Sequence, residues 1–148
     1  MRRTMLFLPG NTPNMLINGD TLGADTVIFD LEDAVSPDEK DAARILVRNA
    51  LKYQNFSGCE VVVRINPTDT EFWKEDLDAV IPLKPDMIMP TKVSGGEMIR
   101  EVSAYMGQVE ERSGIEKGSV KILPLIETAL GVEKAFEIAS SDVRVAGL

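Results

Sequence analysis

Apolar residues fall into two alternating patterns along this chain. Short, nearly continuous apolar runs occupy 4–8, 26–30, 60–65, 86–89, 120–126 and 143–148, the third built on Val61-Val62-Val63. Their length and β-branched content predict strands. Between them apolar positions recur every three or four residues, as Ala42, Ile45, Leu46 and Ala50 do, which predicts helices. Polar punctuation marks the helix ends. Thr12-Pro13 reads as an N-cap with proline in the first turn, opening a helix to about Leu22, with Gly23 as its C′ glycine. Ser36-Pro37-Asp38-Glu39 reads as a capping box before a helix to about Leu51. A third helix is expected over 70–81. Ser94-Gly95-Gly96-Glu97 is a second capping box, before a helix to about Arg112 that Ser113-Gly114 stops, and a fifth helix is expected over 128–140.

Apolar strands alternating with amphipathic helices mean βαβ units around a parallel sheet, an α/β fold. Two architectures fit. One is an open doubly wound sheet with the sixth strand at an edge. The other is a (β/α)8 TIM barrel, which needs roughly 250 residues, so that six strands and five helices are about two-thirds of one. The last run, 143–148, is apolar with no helix to cover it, which motivates the second expectation: residues 1–148 as the N-terminal two-thirds of a single barrel domain. Strands one and six would then carry unpaired edges, which predicts a homo-oligomer.

Composition narrows the chemistry more than the fold. Among 148 residues, 16 Lys and Arg face 24 Asp and Glu, a formal charge of −8, so nucleic acid is not an expected partner. No stretch approaches the roughly 18 apolar residues of a membrane span. Arg2-Arg3 followed by Met5-Leu6-Phe7-Leu8 imitates a signal peptide, but Pro9-Gly10 ends the run too early. One cysteine, Cys59, cannot form an internal disulfide, and a cytoplasmic protein is expected. The chain has no histidine. Ser-His-Asp and Cys-His catalysis and the common zinc sites are thereby excluded within it. Metal chemistry would rest on oxygen ligands, and proton transfer on carboxylates, lysine, tyrosine or water.

Polar residues gather at the carboxyl ends of the predicted strands, where α/β folds bind ligands. Asp30-Leu31-Glu32-Asp33 places three carboxylates within four residues. They are solvated acids of a loop, or they surround a metal and its waters, since clustered carboxylates need a compensating cation. Arg64, after three valines, is a structural ion pair with a strand-two acid or a guanidinium fork for a substrate carboxylate. Glu127 is a helix-capping acid or a direct Mg²⁺ ligand. Lys92 pairs with an acid or holds an anionic substrate group. Gly95-Gly96 is a weak anion-binding signal at a helix start. Trp73, Phe72 and the run Met87-Ile88-Met89 read as core.

Five segments occur in one order: Leu6-Phe7-Leu8-Pro9-Gly10-Asn11, Asp30-Leu31-Glu32-Asp33-Ala34-Val35, Arg64-Ile65-Asn66-Pro67, Pro90-Thr91-Lys92-Val93 and Pro124-Leu125-Ile126-Glu127-Thr128-Ala129. Together they resemble the citrate lyase β subunits and their relatives in the HpcH/HpaI aldolase superfamily, over the whole chain. The resemblance implies a (β/α)8 barrel and a Mg²⁺-dependent lyase that cleaves the carbon–carbon bond of a citryl thioester of CoA or acyl-carrier protein, giving oxaloacetate and an acetyl thioester. It implies that Arg64 binds a carboxylate of the oxo-acid, that Glu127 ligates Mg²⁺ beside the substrate, and that Glu32 and Asp33 lie around the metal and its waters. It identifies no general base. It places a second metal ligand, an aspartate, beyond Leu148, and makes the citrate lyase α and γ subunits the expected partners. A malyl-CoA-type lyase or thioesterase of the same superfamily, or an inactive structural subunit, are the alternatives.

Overall fold

The computed structural model describes residues 2–148. Its strands are β1 (Met5–Pro9), β2 (Thr26–Asp30), β3 (Glu60–Arg64), β4 (Met87–Met89) and β5 (Lys121–Ile122). Its helices are α1 (Pro13–Ile17), α2 (Lys40–Tyr53), α3 (Phe72–Val80), α4 (Gly96–Arg112), α5 (Ala129–Glu133) and α6 (Ala135–Ala139). The five strands form one sheet in the order β1-β2-β3-β4-β5, every pair parallel.

That order separates the two architectures. A doubly wound sheet reverses its strand order part-way; this one does not. Side chains alternate across the sheet. Val27, Phe29, Val61, Val63, Ile88 and Ile122 share one core with helical residues such as Ala43, Val47, Leu77, Ile99, Val102 and Met106. The opposite face collects Ile28, Val62, Met87, Met89 and Leu123, with Leu125 against them, and no helical residue joins that cluster. Helices on one face and an apolar inner layer on the other is the arrangement of consecutive strands in a (β/α)8 barrel. Trp73 is buried, edge-on to Tyr105 at 5.3 Å.

The sixth predicted strand is a single parallel bridge, Ile122 to Val145. Ile122 N–H donates to Arg144 O at 2.9 Å, and Ala146 N–H returns to Ile122 O at 2.9 Å. The ladder then stops because proline has no N–H. Lys121, Leu123 and Leu125 donate toward β4. By alternation Pro124 faces the sixth run and has nothing to donate. Pro90 likewise curtails the β4–β5 ladder, which is why β5 is shorter than the predicted 120–126.

Four helix expectations shift. The first helix breaks after Ile17, where Asn18 turns its side-chain amide onto Asn14 O at 2.8 Å, and continues as a 3-10 turn, Gly19–Leu22, before Gly23 at φ 72°. Neither capping box closes on its helix. The Ser36 hydroxyl meets the Glu39 carboxylate at 3.2 Å, and a 3-10 turn, Pro37–Glu39, precedes α2. Helix α4 starts at Gly96, whose N–H donates to Glu137 Oε1 at 2.9 Å. The weak anion-binding signal at Gly95-Gly96 is thus met by the chain's own carboxylate. The fifth helix bends at Lys134 into α5 and α6.

Thr128 does cap α5, accepting from Gly131 N–H at 3.0 Å. Gly131 is required there, because a Cβ would lie 2.3 Å from the Val93 carbonyl oxygen. Gly131→Ala must push α5 off the β4–α4 loop. We expect it to lower stability by about 1–3 kcal/mol, read as a lower urea midpoint. An unchanged midpoint would contradict the close approach.

Candidate active site

Register alone places the site. Pro9 pairs with Asp30, Asp30 with Arg64, and Arg64 with Met89, one row across the carboxyl ends of four strands. Odd and even positions then decide which side chains face inward, and Asp30 and Arg64 are neighbours on the face opposite the helices.

Asp30 is 1% exposed and organises what surrounds it. Its Oδ1 accepts from Arg64 Nε at 2.7 Å and its Oδ2 from Arg64 Nη2. The same carboxylate accepts the backbone N–H of Glu32 at 2.8 Å and of Ala34 at 3.2 Å. Burial alone would raise its pKa, but the Arg64 fork and these N–H groups outweigh burial and hold it below the ordinary value. Arg64 is opposed by burial in the same way and held above its usual value by Asp30. Its guanidinium also stacks on Phe7, 4.8 Å from the ring centre, and its Nη1 lies 3.6 Å from Glu32 Oε2. The side-on edge of the guanidinium is therefore spent on Asp30. The end-on edge, with the remaining Nη1 and Nη2 protons, is the one a substrate carboxylate can grip.

Lys92 ties the other acids together. It is one of two non-glycine residues with positive φ, 53°, among the described residues. In that conformation its N–H donates to Glu127 Oε1 at 2.8 Å, while its ammonium reaches Glu32 Oε1 at 2.8 Å and lies 3.9 Å from Asp33 Oδ1. The hydrogen bond to Glu32, then the charges of Glu32, Asp33 and Glu127, hold Lys92 above the usual lysine value. Glu32 is buried; Asp33 and Glu127 are exposed. Glu32, Asp33, Lys92, Lys40, Asn66 and Thr70 line a cleft of about 390 Å³ at this end of the sheet. Asn66 is locked by Asp76, which accepts its N–H at 3.0 Å and its amide at 2.7 Å.

The four residues singled out in the sequence, Glu32, Asp33, Arg64 and Glu127, thus lie at one end of one sheet. Lys92 joins Glu127 to the acids after β2, and Glu32 joins those acids to Arg64. Among the described residues no three acidic or cysteine side chains converge as a ready metal cluster. The ion pair between Arg64 and a strand-two acid, one of the two sequence readings of Arg64, is present, with Asp30 as the acid; sequence reasoning did not single Asp30 out among the three acids, and it missed Lys40 and Phe7. Asp30's signal was present: it is the last residue of an apolar strand, one ladder partner from Arg64.

The model of the HpcH/HpaI aldolase/citrate lyase family matches residues 3–148. This chain belongs to the HpcH/HpaI aldolase/citrate lyase family. Citrate lyase subunit beta of Leuconostoc mesenteroides subsp. cremoris is 43% identical over 148 residues, all of this chain and 49% of that protein. A (3S)-malyl-CoA thioesterase of Cereibacter sphaeroides (strain ATCC 17025 / ATH 2.4.3) is 36% identical over 138 residues, 93% of this chain and 45% of that protein. The citrate lyase beta subunit of M. tuberculosis, solved with oxaloacetate and magnesium, superposes with a TM-score of 0.75 at 28% identity, covering 99% of this chain and 57% of that one. The chain spans about half the length of the curated relatives it matches. No helix among the described residues is long and apolar enough to cross a membrane.

Proposed function

We propose that this family member is the N-terminal part of a Mg²⁺-dependent lyase that cleaves a citryl thioester, carried on CoA or acyl-carrier protein, into oxaloacetate and an acetyl thioester. One observation carries the reading: an arginine whose side-on edge is fixed by a buried aspartate keeps its end-on edge for a carboxylate, beside exposed carboxylates at the same strand ends. The 43% identity to a citrate lyase subunit beta supports the substrate class.

The residues present suit Mg²⁺. Among the described residues, of Glu127's two oxygens only Oε1 is engaged, and the Asp33 carboxylate meets only the distant Lys92 ammonium. Hard carboxylate oxygens with open valence are the donors that Mg²⁺ prefers. Glu127 would hold the ion directly, with Glu32 and Asp33 around its waters. When bound, Mg²⁺ would neutralise negative charge on the substrate's hydroxyl and carboxylate oxygens. The protein's own part is orientation. Arg64 grips a carboxylate of the oxo-acid portion. Asp30 keeps that guanidinium from turning. As the hydroxyl proton leaves, the carbon–carbon bond breaks and the pair of electrons passes to the acetyl thioester as an enolate. That enolate regains one proton, so protons balance over the cycle. Citrate lyase α and γ subunits and further copies of the chain are the proposed partners, in the cytoplasm.

The test is oxaloacetate release by the complete protein, followed through NADH and malate dehydrogenase, with citryl-CoA or citryl-acyl-carrier protein. Turnover should vanish with EDTA and return with Mg²⁺. Glu127→Gln should raise the Mg²⁺ concentration for half activation about 10–100-fold; an unchanged requirement would remove Glu127 from the metal. The 36% identity to a malyl-CoA thioesterase favours one second reading. Release of malate and free CoA from malyl-CoA, without citryl cleavage, would replace the first reading by that one.

A further inference from the structure

Lys40 has no part in the chemistry above, yet its placement is costly. It is the first residue of α2, where a helix dipole disfavours a cation, and it is 8% exposed. Burial pulls its pKa below the usual value, against the charges of Asp76 on α3, Glu32 and Asp33 in the loop, and Asp30 on β2. Such a site persists only where the buried ammonium is compensated by hydrogen bonds and opposite charge.

Its two hydrogen bonds go to adjacent carbonyls, Leu31 O at 2.8 Å and Glu32 O at 2.7 Å. The N–H at the other end of each of these two peptide planes is also held. Glu32 N–H donates to Asp30 Oδ1 at 2.8 Å, and Asp33 N–H donates to Glu32 Oε2 at 3.0 Å. A peptide unit is rigid, so a plane gripped at both its C=O and its N–H cannot rotate. The two planes flanking Glu32 are each gripped in this way, by a cation on one side and a carboxylate on the other.

We propose that Lys40 is a positioning residue: it clamps the Leu31–Glu32 and Glu32–Asp33 peptides so that the Glu32 carboxylate stands between Arg64 and Lys92 and the Asp33 carboxylate faces the cleft. The catalytic consequence rests on the lyase reading; the clamp itself does not. Lys40 acts through the loop and touches no reacting atom. Removing the ammonium leaves the Leu31 carbonyl unbonded and the Glu32 carbonyl with the Val35 N–H alone, at 3.1 Å, and loosens the loop that carries the two acids. Methionine has nearly the same length and no donor, whereas arginine can still donate to both carbonyls.

The experiment compares wild type, Lys40→Met and Lys40→Arg in the complete protein. Amide exchange is measured by NMR, and kcat, KM and affinity for Mn²⁺, by its electron paramagnetic resonance, are measured beside it. In Lys40→Met the Glu32 and Asp33 amides should exchange at least about tenfold faster, while those of Val61 to Val63 stay protected. Mn²⁺ affinity should fall about 10–100-fold and kcat with it, KM for the thioester holding within about twofold. Lys40→Arg should recover most of each. Unchanged Glu32 and Asp33 exchange would overturn the clamp. So would exchange rising equally along β3, or a lower melting temperature with kcat and Mn²⁺ affinity intact, because these mark a purely structural lysine. If Lys40→Met fails to fold, Lys40→Arg decides: protected loop amides uphold the clamp, and exposed ones overturn it. A wild type without lyase turnover but with the Lys40-dependent exchange would sink the lyase reading and leave the clamp standing.

Discussion

Arg64→Ala should cut kcat/KM for the thioester by about 10²–10³-fold, the usual cost of losing one preorganised charge-bearing donor from an active site. The same change strands Asp30, 1% exposed, without the fork that compensates its burial. Breaking a buried pair from one side costs about 3–5 kcal/mol. The low end is expected here, because the N–H groups of Glu32 and Ala34 still reach the carboxylate. Stability and activity can be separated. Adding Asp30→Asn to Arg64→Ala removes the uncompensated charge and should restore much of the stability, measured as the urea midpoint, with no return of turnover. Recovery of both would mean that Arg64 serves the fold alone. Loss of stability with full turnover in the single variant would also remove it from the substrate site.

Arg144→Met should be the most destabilising substitution outside the site, by about 3–5 kcal/mol. Arg144 and Glu110 are 4% and 0% exposed. Nη1 reaches Glu110 Oε1 at 2.8 Å and Val120 O at 2.9 Å, Nη2 reaches Glu110 Oε2 at 2.6 Å, and Nε reaches the Ser103 hydroxyl at 3.1 Å. One guanidinium thereby fastens the 143–148 run to α4 and to the start of β5, where the backbone supplies only a single bridge. Replacing both partners, Glu110→Leu with Arg144→Met, should recover most of the loss, since two apolar groups leave no orphaned charge. A single variant as stable as wild type would show that the pair contributes nothing.

The pair also sets an acid response. Burial opposes the charge of Glu110, but Arg144 and the N–H groups of Gly118 and Val120 outweigh it and hold its pKa below the usual carboxylate value. Asp30 is lowered in the same way. Groups with depressed folded pKa values contribute fully above their unfolded values, near ~4.3 for Glu and ~3.9 for Asp, and less as pH falls through the folded ones. The contribution of these two groups to wild-type urea midpoints should therefore be lost as pH falls below about 4. Glu110→Gln should fall less steeply there, though from a lower plateau.

Local chemistry alone determined much of this. The strand and helix alternation follows from patterning that each segment carries in itself: β-branched Val61-Val62-Val63 forms β3, and Thr128 caps α5 with the glycine three residues on. The collection of Asp30 to Asp33, Arg64, Lys92 and Glu127 at strand ends follows from the same alternation, and motif order named the family before any contact was known. What is non-local was decided only by the fold. Both architectures share the same strands, and the order β1-β2-β3-β4-β5 chooses between them through contacts distant in sequence. Which of three acids meets Arg64 depends on register, because a shift of one residue would turn Asp30 to the helix face. Ser94 and Ser36 had the right spacing to cap, yet Glu137 from α6 accepts the first N–H of α4, and the Ser36 hydroxyl turns to the Glu39 carboxylate. The buried pairs Asp30–Arg64 and Glu110–Arg144 join residues 34 apart, so only the folded chain brings them together.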